Sequence, residues 1–147
     1  MPTRTARTAW NGTLQEGSGQ VELTSSKVGT YDVSFPRRAA DDAGGVTSPE
    51  ELIAAAHSSC FAMQLSAVLG EAGATPVALE VTVEVELGPD PAGGFKIPSI
   101  AVTVRGEVEG IDEAGFQKAA ETAKATCPVS KALAGVESIT LDASLEG

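Results

Sequence analysis

From Leu52 to Gly70 the chain carries no charged residue, and the run lies inside a segment marked as one helix. Ser48 suits the N-cap, Pro49 the first helical position, and Glu51 the third, where it completes a capping box. Apolar residues occur nearly all round this helix, so it must be buried on most sides. Its length would span a membrane, but His57, Ser58, Ser59, Gln64 and Ser66 are polar groups that lipid does not tolerate without partners. A chain of 147 residues can hardly wrap one helix completely. A second subunit is the economical cover, so the sequence predicts a homodimer.

Charge excludes several partners. The formal net charge is −10, with 20 acidic against 10 basic residues. Nucleic acid draws its affinity from phosphate neutralisation by clustered Lys and Arg, and an anionic membrane surface needs the same. With 42% hydrophobic residues the chain has the apolar content of a folded protein. The opening MPTRTARTAWNG has no apolar signal-peptide core, so a cytoplasmic location is expected. Length and the lack of any repeat predict a single domain over residues 1–147.

The remaining elements follow from periodicity. TAWNGTLQEG, QVELTSS and GTYDVSF read as three opening strands, with Gly17 and Gly19, then Gly29, at the turns. PRRAADDAGGVT reads as a polar loop. After the long helix, Val77, Leu79, Val81, Val83, Val85 and Leu87 alternate with polar or small neighbours as a strand. Its acidic residues Glu80, Glu84 and Glu86 mark a solvated face. Ile100, Val102 and Val104 alternate in a partner strand. Asp112 caps a second helix burying Phe116, Ala119, Ala120 and Ala123. A short helix starts at Pro128, and SITLDASL closes as a strand. The order is βββ-α-ββ-α-α-β, an α+β fold with antiparallel sheets around a long buried central helix.

Two cysteines make up the whole thiol inventory. Cys60 lies within the uncharged helix; Cys127 directly precedes Pro128 at a helix start, where the positive end of the helix favours a thiolate. Cys127 can equally be a serviceable N-cap without reactivity. Two cysteines and one histidine fall short of a structural zinc site, so no metal is expected. His57, one turn before Cys60, can act as base or cation for it. The favoured alternative is a core histidine bonded to a carbonyl or to an opposing helix.

SPEELIAAAHSSC followed by a distant CPVSKAL resembles the OsmC/Ohr family, osmotically inducible protein C and organic hydroperoxide resistance protein, with PEELIAAAH nearer the OsmC branch. The resemblance covers most of the chain and implies an intertwined homodimer. It also implies a thiol peroxidase that reduces organic hydroperoxides. Carried onto this sequence, Cys60 is the peroxidatic cysteine and Cys127 the resolving one. Glu50 orients an arginine that holds Cys60 as thiolate. That arginine falls in FPRR and is assigned to Arg38 by spacing, with Arg37 the alternative. No bound cofactor is implied; the reductant is a dihydrolipoyl group, on a lipoylated protein or as lipoamide.

Elementary chemistry supports these residue types. The thiolate is the nucleophile, and burial raises a thiol above its free value of about 8.5. A guanidinium opposes this and cannot lose its own proton. A carboxylate can hold the guanidinium by a bidentate pair. Ten residues of unbroken helix rise about 15 Å and rotate by about 280°, so Glu50 cannot touch Cys60 of its own chain. An antiparallel pair of helices crossing at the small residues Ala54, Ala55, Ala56, Ser58 and Ser59 would bring the two together across a dimer, giving composite sites. Two other readings stay open. One is a small-hydrophobe-binding or stress-response module with merely packed cysteines. The other is a permanent disulfide staple, worth roughly 4 kcal/mol.

Overall fold

The computed structural model describes all of residues 1–147. The chain gathers into two compact units, Met1–Leu52 and Ile53–Gly147.

The first unit is a three-stranded antiparallel sheet, β1 (Arg7–Asn11), β2 (Ser18–Glu22) and β3 (Thr30–Val33), in the order β1-β2-β3. Gly19, expected at a turn, lies inside β2 opposite Trp10. A Cβ there would fall 2.5 Å from the Ala9 carbonyl oxygen and 3.0 Å from the Trp10 ring, so the strand pair needs glycine for close approach. The expected polar loop begins as a helical turn, α1 (Phe35–Arg38), whose Ser34 N-cap oxygen accepts from the Arg37 N–H. Pro36 in its first turn gives up no needed hydrogen bond.

The long helix α2 (Pro49–Glu71) starts in the first unit and runs without interruption into the second. It begins where its sequence signals place it, with the Glu51 N–H donating to Ser48 Oγ at 3.1 Å. His57, Phe61, Leu65 and Leu69, four apart, form its buried stripe. Ala55, Ser59, Met63, Ser66 and Gly70 lie exposed, with Met63 at 73%. The helix is long and apolar enough to cross a membrane, with mean hydropathy 1.5. Its buried stripe instead joins the core of its own chain. Within one chain, then, the expected all-round burial is met on one side only.

The second unit builds its main sheet from β4 (Thr75–Val85), β7 (Ser99–Glu109) and β8 (Ser138–Leu145), in the order β4-β7-β8. A two-stranded ribbon, β5 (Gly88–Pro89) with β6 (Phe95–Lys96), fills the connection between β4 and β7. β7 is the central strand, and its Ile100, Val102 and Val104 point into the core. The sheet differs from the antiparallel expectation in one pairing: β4 and β7 are antiparallel, whereas β7 and β8 are parallel. The reason is the connection. Helices α3 (Glu113–Thr126) and α4 (Pro128–Ala132) carry the chain back to the end at which β7 began, as a parallel neighbour requires. A register shift between Pro76 and Ala78 leaves Val77 55% exposed, so this valine drops out of the predicted apolar row.

α3 closes the core. Asp112 caps it, its Oδ1 accepting from the Gly115 N–H at 2.8 Å, and Phe116, Ala119, Ala120 and Ala123 are buried as predicted. A Cβ at Gly106 would come within 2.6 Å of Phe116 Cζ, so glycine in β7 makes room for the ring.

Candidate active site

Within the second unit, three side-chain pairs join α2 to the segment Thr126–Ser130. Gln64 Nε2 donates to Thr126 Oγ1 at 3.0 Å. Cys60 Sγ and Cys127 Sγ lie 3.0 Å apart and share one hydrogen bond. His57 Nε2 and Ser130 Oγ lie 2.7 Å apart. Residues 57, 60 and 64 share a helix face, which is why all three can meet one segment. The polar pairs on either side therefore clamp the sulfurs in register. Both cysteines are free; Cys60 is half-buried, and Cys127 is 0% exposed.

The surroundings of the two thiols differ. Burial and the hydrogen bond it shares with Cys127 push the Cys60 thiol up, against a single opposing backbone N–H from Val129. No cation of its unit is among the groups acting on it. Burial pushes Cys127 up too, but this is outweighed. Its neighbour Cys60 and the polar groups of Ser130 and Val129 at the start of α4 favour its anion and hold it below the ordinary thiol range. The pair titrates as a unit.

Cys127 ends α3 and precedes Pro128 of α4, as the sequence suggests. Its side chain makes no capping hydrogen bond, so the capping alternative is not what the thiol does. His57 is fully buried, and its hydrogen-bond partner within this chain is the Ser130 hydroxyl of α4. Sequence reasoning missed Ser130. Its signal was a serine in the first turn of a helix whose start was already marked by cysteine and proline.

In the first unit, Arg38 at the end of α1 meets Glu50 in the first turn of α2. Arg38 Nε donates to both Glu50 carboxylate oxygens, at 3.1 and 3.2 Å, and Nη2 to Oε1 at 2.8 Å. Glu50 is only 7% exposed. Arg37, the alternative in FPRR, instead lays its guanidinium against Gly44. A cavity of about 390 Å³ opens beside Arg38, its wall formed mainly by Trp10, Leu14, Val21, Phe35 and Leu52. No group of three His, Cys, Asp or Glu side chains is placed to hold a metal ion.

Fold and site define an α+β protein whose two free thiols are held in register between a core helix and a helical crossover. The chain belongs to the OsmC-like protein family, whose model matches residues 41–142. It is 42% identical over 137 residues to "Peroxiredoxin OsmC" of Escherichia coli (strain K12), covering 93% of this chain and 92% of that one. It is 32% identical over 122 residues to "Organic hydroperoxide resistance protein OhrA" of Bacillus subtilis (strain 168), covering 82% and 84%. Among solved structures, an organic hydroperoxide resistance protein OsmC from Legionella pneumophila superposes with a TM-score of 0.76. That match is 26% identical and covers 100% of this chain and 98% of the other.

Proposed function

We propose that this protein is a thiol peroxidase that reduces organic hydroperoxides to alcohols, with Cys60 attacking and Cys127 resolving. The observation that carries the reading is the sulfur pair, 3.0 Å apart, with one half-buried member and one fully buried. The relatives' names, a peroxiredoxin and an organic hydroperoxide resistance protein, support the substrate class. In the first step the Cys60 thiolate attacks the terminal peroxide oxygen. The O–O bond breaks, the alkoxide takes up a proton and leaves as the alcohol, and Cys60 becomes a sulfenic acid. In the second, the Cys127 thiolate attacks the Cys60 sulfur, the S–O bond breaks, and hydroxide leaves and is protonated to water. The disulfide protects Cys60 from irreversible oxidation.

The first step needs an anion on Cys60, which the single unit does not favour. A guanidinium corrects this, and Arg38, fixed by Glu50, is the candidate. α2 is continuous from Pro49 to Glu71, the condition under which Glu50 cannot serve Cys60 of its own chain. Arg38 and Glu50 therefore act on the Cys60 of a partner subunit in a homodimer paired through α2. The exposed uncharged side of α2, Ala55 to Gly70, supports this pairing. The apolar cavity beside Arg38 takes the hydrocarbon tail, where burial gains about 25 cal/mol per Å². An external dithiol, a dihydrolipoyl group on a lipoylated protein or as lipoamide, reduces the disulfide. A reducing compartment such as the cytoplasm suits that cycle.

Turnover tests the reading. Cumene hydroperoxide should be consumed with dihydrolipoamide as reductant, and Cys60→Ser should abolish consumption. Undiminished turnover in Cys60→Ser would overturn the reading. Absence of turnover in the wild type, with both thiols intact, would favour the hydrophobe-binding alternative.

A further inference from the structure

Besides Cys60, two side chains of α2 reach across to the Thr126–Ser130 segment, and the peroxidase cycle uses neither: His57 meets Ser130, and Gln64 meets Thr126. Other polar groups of α2 stay on their own helix, Ser58 and Ser59 turning back on the Ala55 and Ala56 carbonyls. Gln64, half-buried, reaches away from it. Thr126 Oγ1 gives its single hydrogen to the Thr122 carbonyl at 2.7 Å, so toward Gln64 it can only accept. The Gln64 amide therefore presents Nε2, which donates at 3.0 Å.

We infer that Gln64 is a positioning residue: through Thr126 it holds Cys127 against Cys60 and so sets how readily the two sulfurs join. Thr126 directly precedes Cys127, and Gln64 follows Cys60 by one helical turn, so this latch sits beside the sulfur contact of 3.0 Å. Cys127 is fixed within the α3–α4 junction. Its N–H donates to the Ala123 carbonyl at 2.8 Å, and its carbonyl accepts from the Lys131 N–H at 3.0 Å. What remains is movement of the junction as a body relative to α2. The buried face of α3 leading to it carries Ala119, Ala120 and Ala123, short side chains that offer little to interlock. The His57–Ser130 bond pins one point of the junction and leaves a pivot. The Gln64–Thr126 bond pins a second point on the other side of Cys127, and the pivot is lost.

The inference rests on the peroxidase reading for its use in the cycle. There the Cys60 sulfenic acid has two fates. Attack by Cys127 gives the disulfide and water; oxidation by a second hydroperoxide gives sulfinic acid and a second alcohol. A held Cys127 favours the first. With the latch broken, the reduced junction relaxes, and forming the S–S bond must order it again. A bond that only supported the fold would cost reduced and oxidised protein alike and leave the balance between them untouched.

The test uses the full chain and needs no hydroperoxide. In a dithiothreitol redox buffer, Cys60 and Cys127 pass two electrons and two protons to the cyclic disulfide and become a disulfide themselves. Alkylation and mass then read the oxidised-to-reduced ratio. Gln64→Met and Thr126→Val keep the side-chain shape and remove the bond. Each should lower the ratio at fixed buffer about fivefold, the worth of one typical hydrogen bond. The double variant should fall no further, and Thr126→Ser, which keeps the hydroxyl, should restore most of the ratio. An unchanged ratio in Gln64→Met or Thr126→Val overturns the inference. So does a double variant whose loss is the product of the two, or a Thr126→Ser as low as Thr126→Val. If Gln64→Met does not fold, Gln64→Ala takes its place. Excess cumene hydroperoxide then reads the use in the cycle: sulfinic acid at Cys60 per turnover should rise about fivefold in the same variants, and no rise would remove Gln64 from resolution. Failure of the peroxidase reading is a separate result, retention of both wild-type thiols in hydroperoxide.

Discussion

Removing Arg38 should destabilise the protein and slow its chemistry by separable amounts. Glu50 is nearly buried, and its carboxylate accepts three hydrogen bonds from Arg38, two from Nε and one from Nη2. Arg38→Ala would leave that carboxylate without them. Breaking a buried pair costs about 3–5 kcal/mol. The Arg38 side chain is 36% exposed, and solvent screens part of that, leaving a loss of about 2 kcal/mol. For a chain of this length the melting temperature should fall by about 4–8 °C. Adding Glu50→Gln removes the stranded charge, so the double variant should regain much of the loss. Arg37→Ala, with no carboxylate partner, should melt close to the wild type. A neighbouring cation is worth about one to three pKa units to an anion, so thiol loss on mixing with cumene hydroperoxide should slow at least about tenfold in Arg38→Ala. Thermal melts by circular dichroism and stopped-flow thiol kinetics read the two effects. An Arg38→Ala that melts like the wild type, or an equal slowing in Arg37→Ala, would refute the reasoning.

Burial holds His57 below its ordinary 6.5. Above that pH the ring is neutral folded and unfolded and contributes nothing. Below it the unfolded chain binds the proton first, so stability should fall with pH by at most about 1.4 kcal/mol per unit. Urea titrations between pH 6.5 and about 5.5 should show this fall, and His57→Gln should flatten it; a wild-type profile no steeper than the variant's would contradict it. Cys127→Ser should allow one attack and then accumulate sulfinic acid at Cys60, read by peptide mass; normal steady turnover would remove Cys127 from its resolving role. Met63→Glu places a charge on the exposed side of α2 and should yield monomers by light scattering, with thiol loss slowed as in Arg38→Ala. A fully active dimer would move the interface elsewhere.

Much of the fold was legible where its signals are local and repeated. Ser48, Pro49 and Glu51 mark the start of α2, Asp112 that of α3, and the period-two row Ile100, Val102, Val104 identifies the central strand. α1 escaped because four residues are too few to show a period, leaving only Ser34 and Pro36 as signals. The parallel placement of β8 is a property of the crossover, and nothing within SITLDASL encodes it. Val77 fits its alternating row perfectly; only the bulge beside it decides its exposure. At the site, Cys60, Cys127 and the FPRR arginine were visible as residue types. Spacing already assigned Arg38 over Arg37, and Arg38 is the one that pairs with Glu50; pairing His57 with Ser130 across 73 residues of chain needed coordinates.

The central claim is that an organic hydroperoxide drives Cys60 and Cys127 of one chain into a disulfide. Fully reduced protein mixed with one equivalent of cumene hydroperoxide, quenched by alkylation and mapped by non-reducing peptide mass, tests it directly. The expected result is prompt loss of both free thiols and one cross-linked peptide pair joining Cys60 to Cys127 within a chain. Two intact, alkylated cysteines, or a Cys60–Cys60 link between chains in place of that pair, would contradict it.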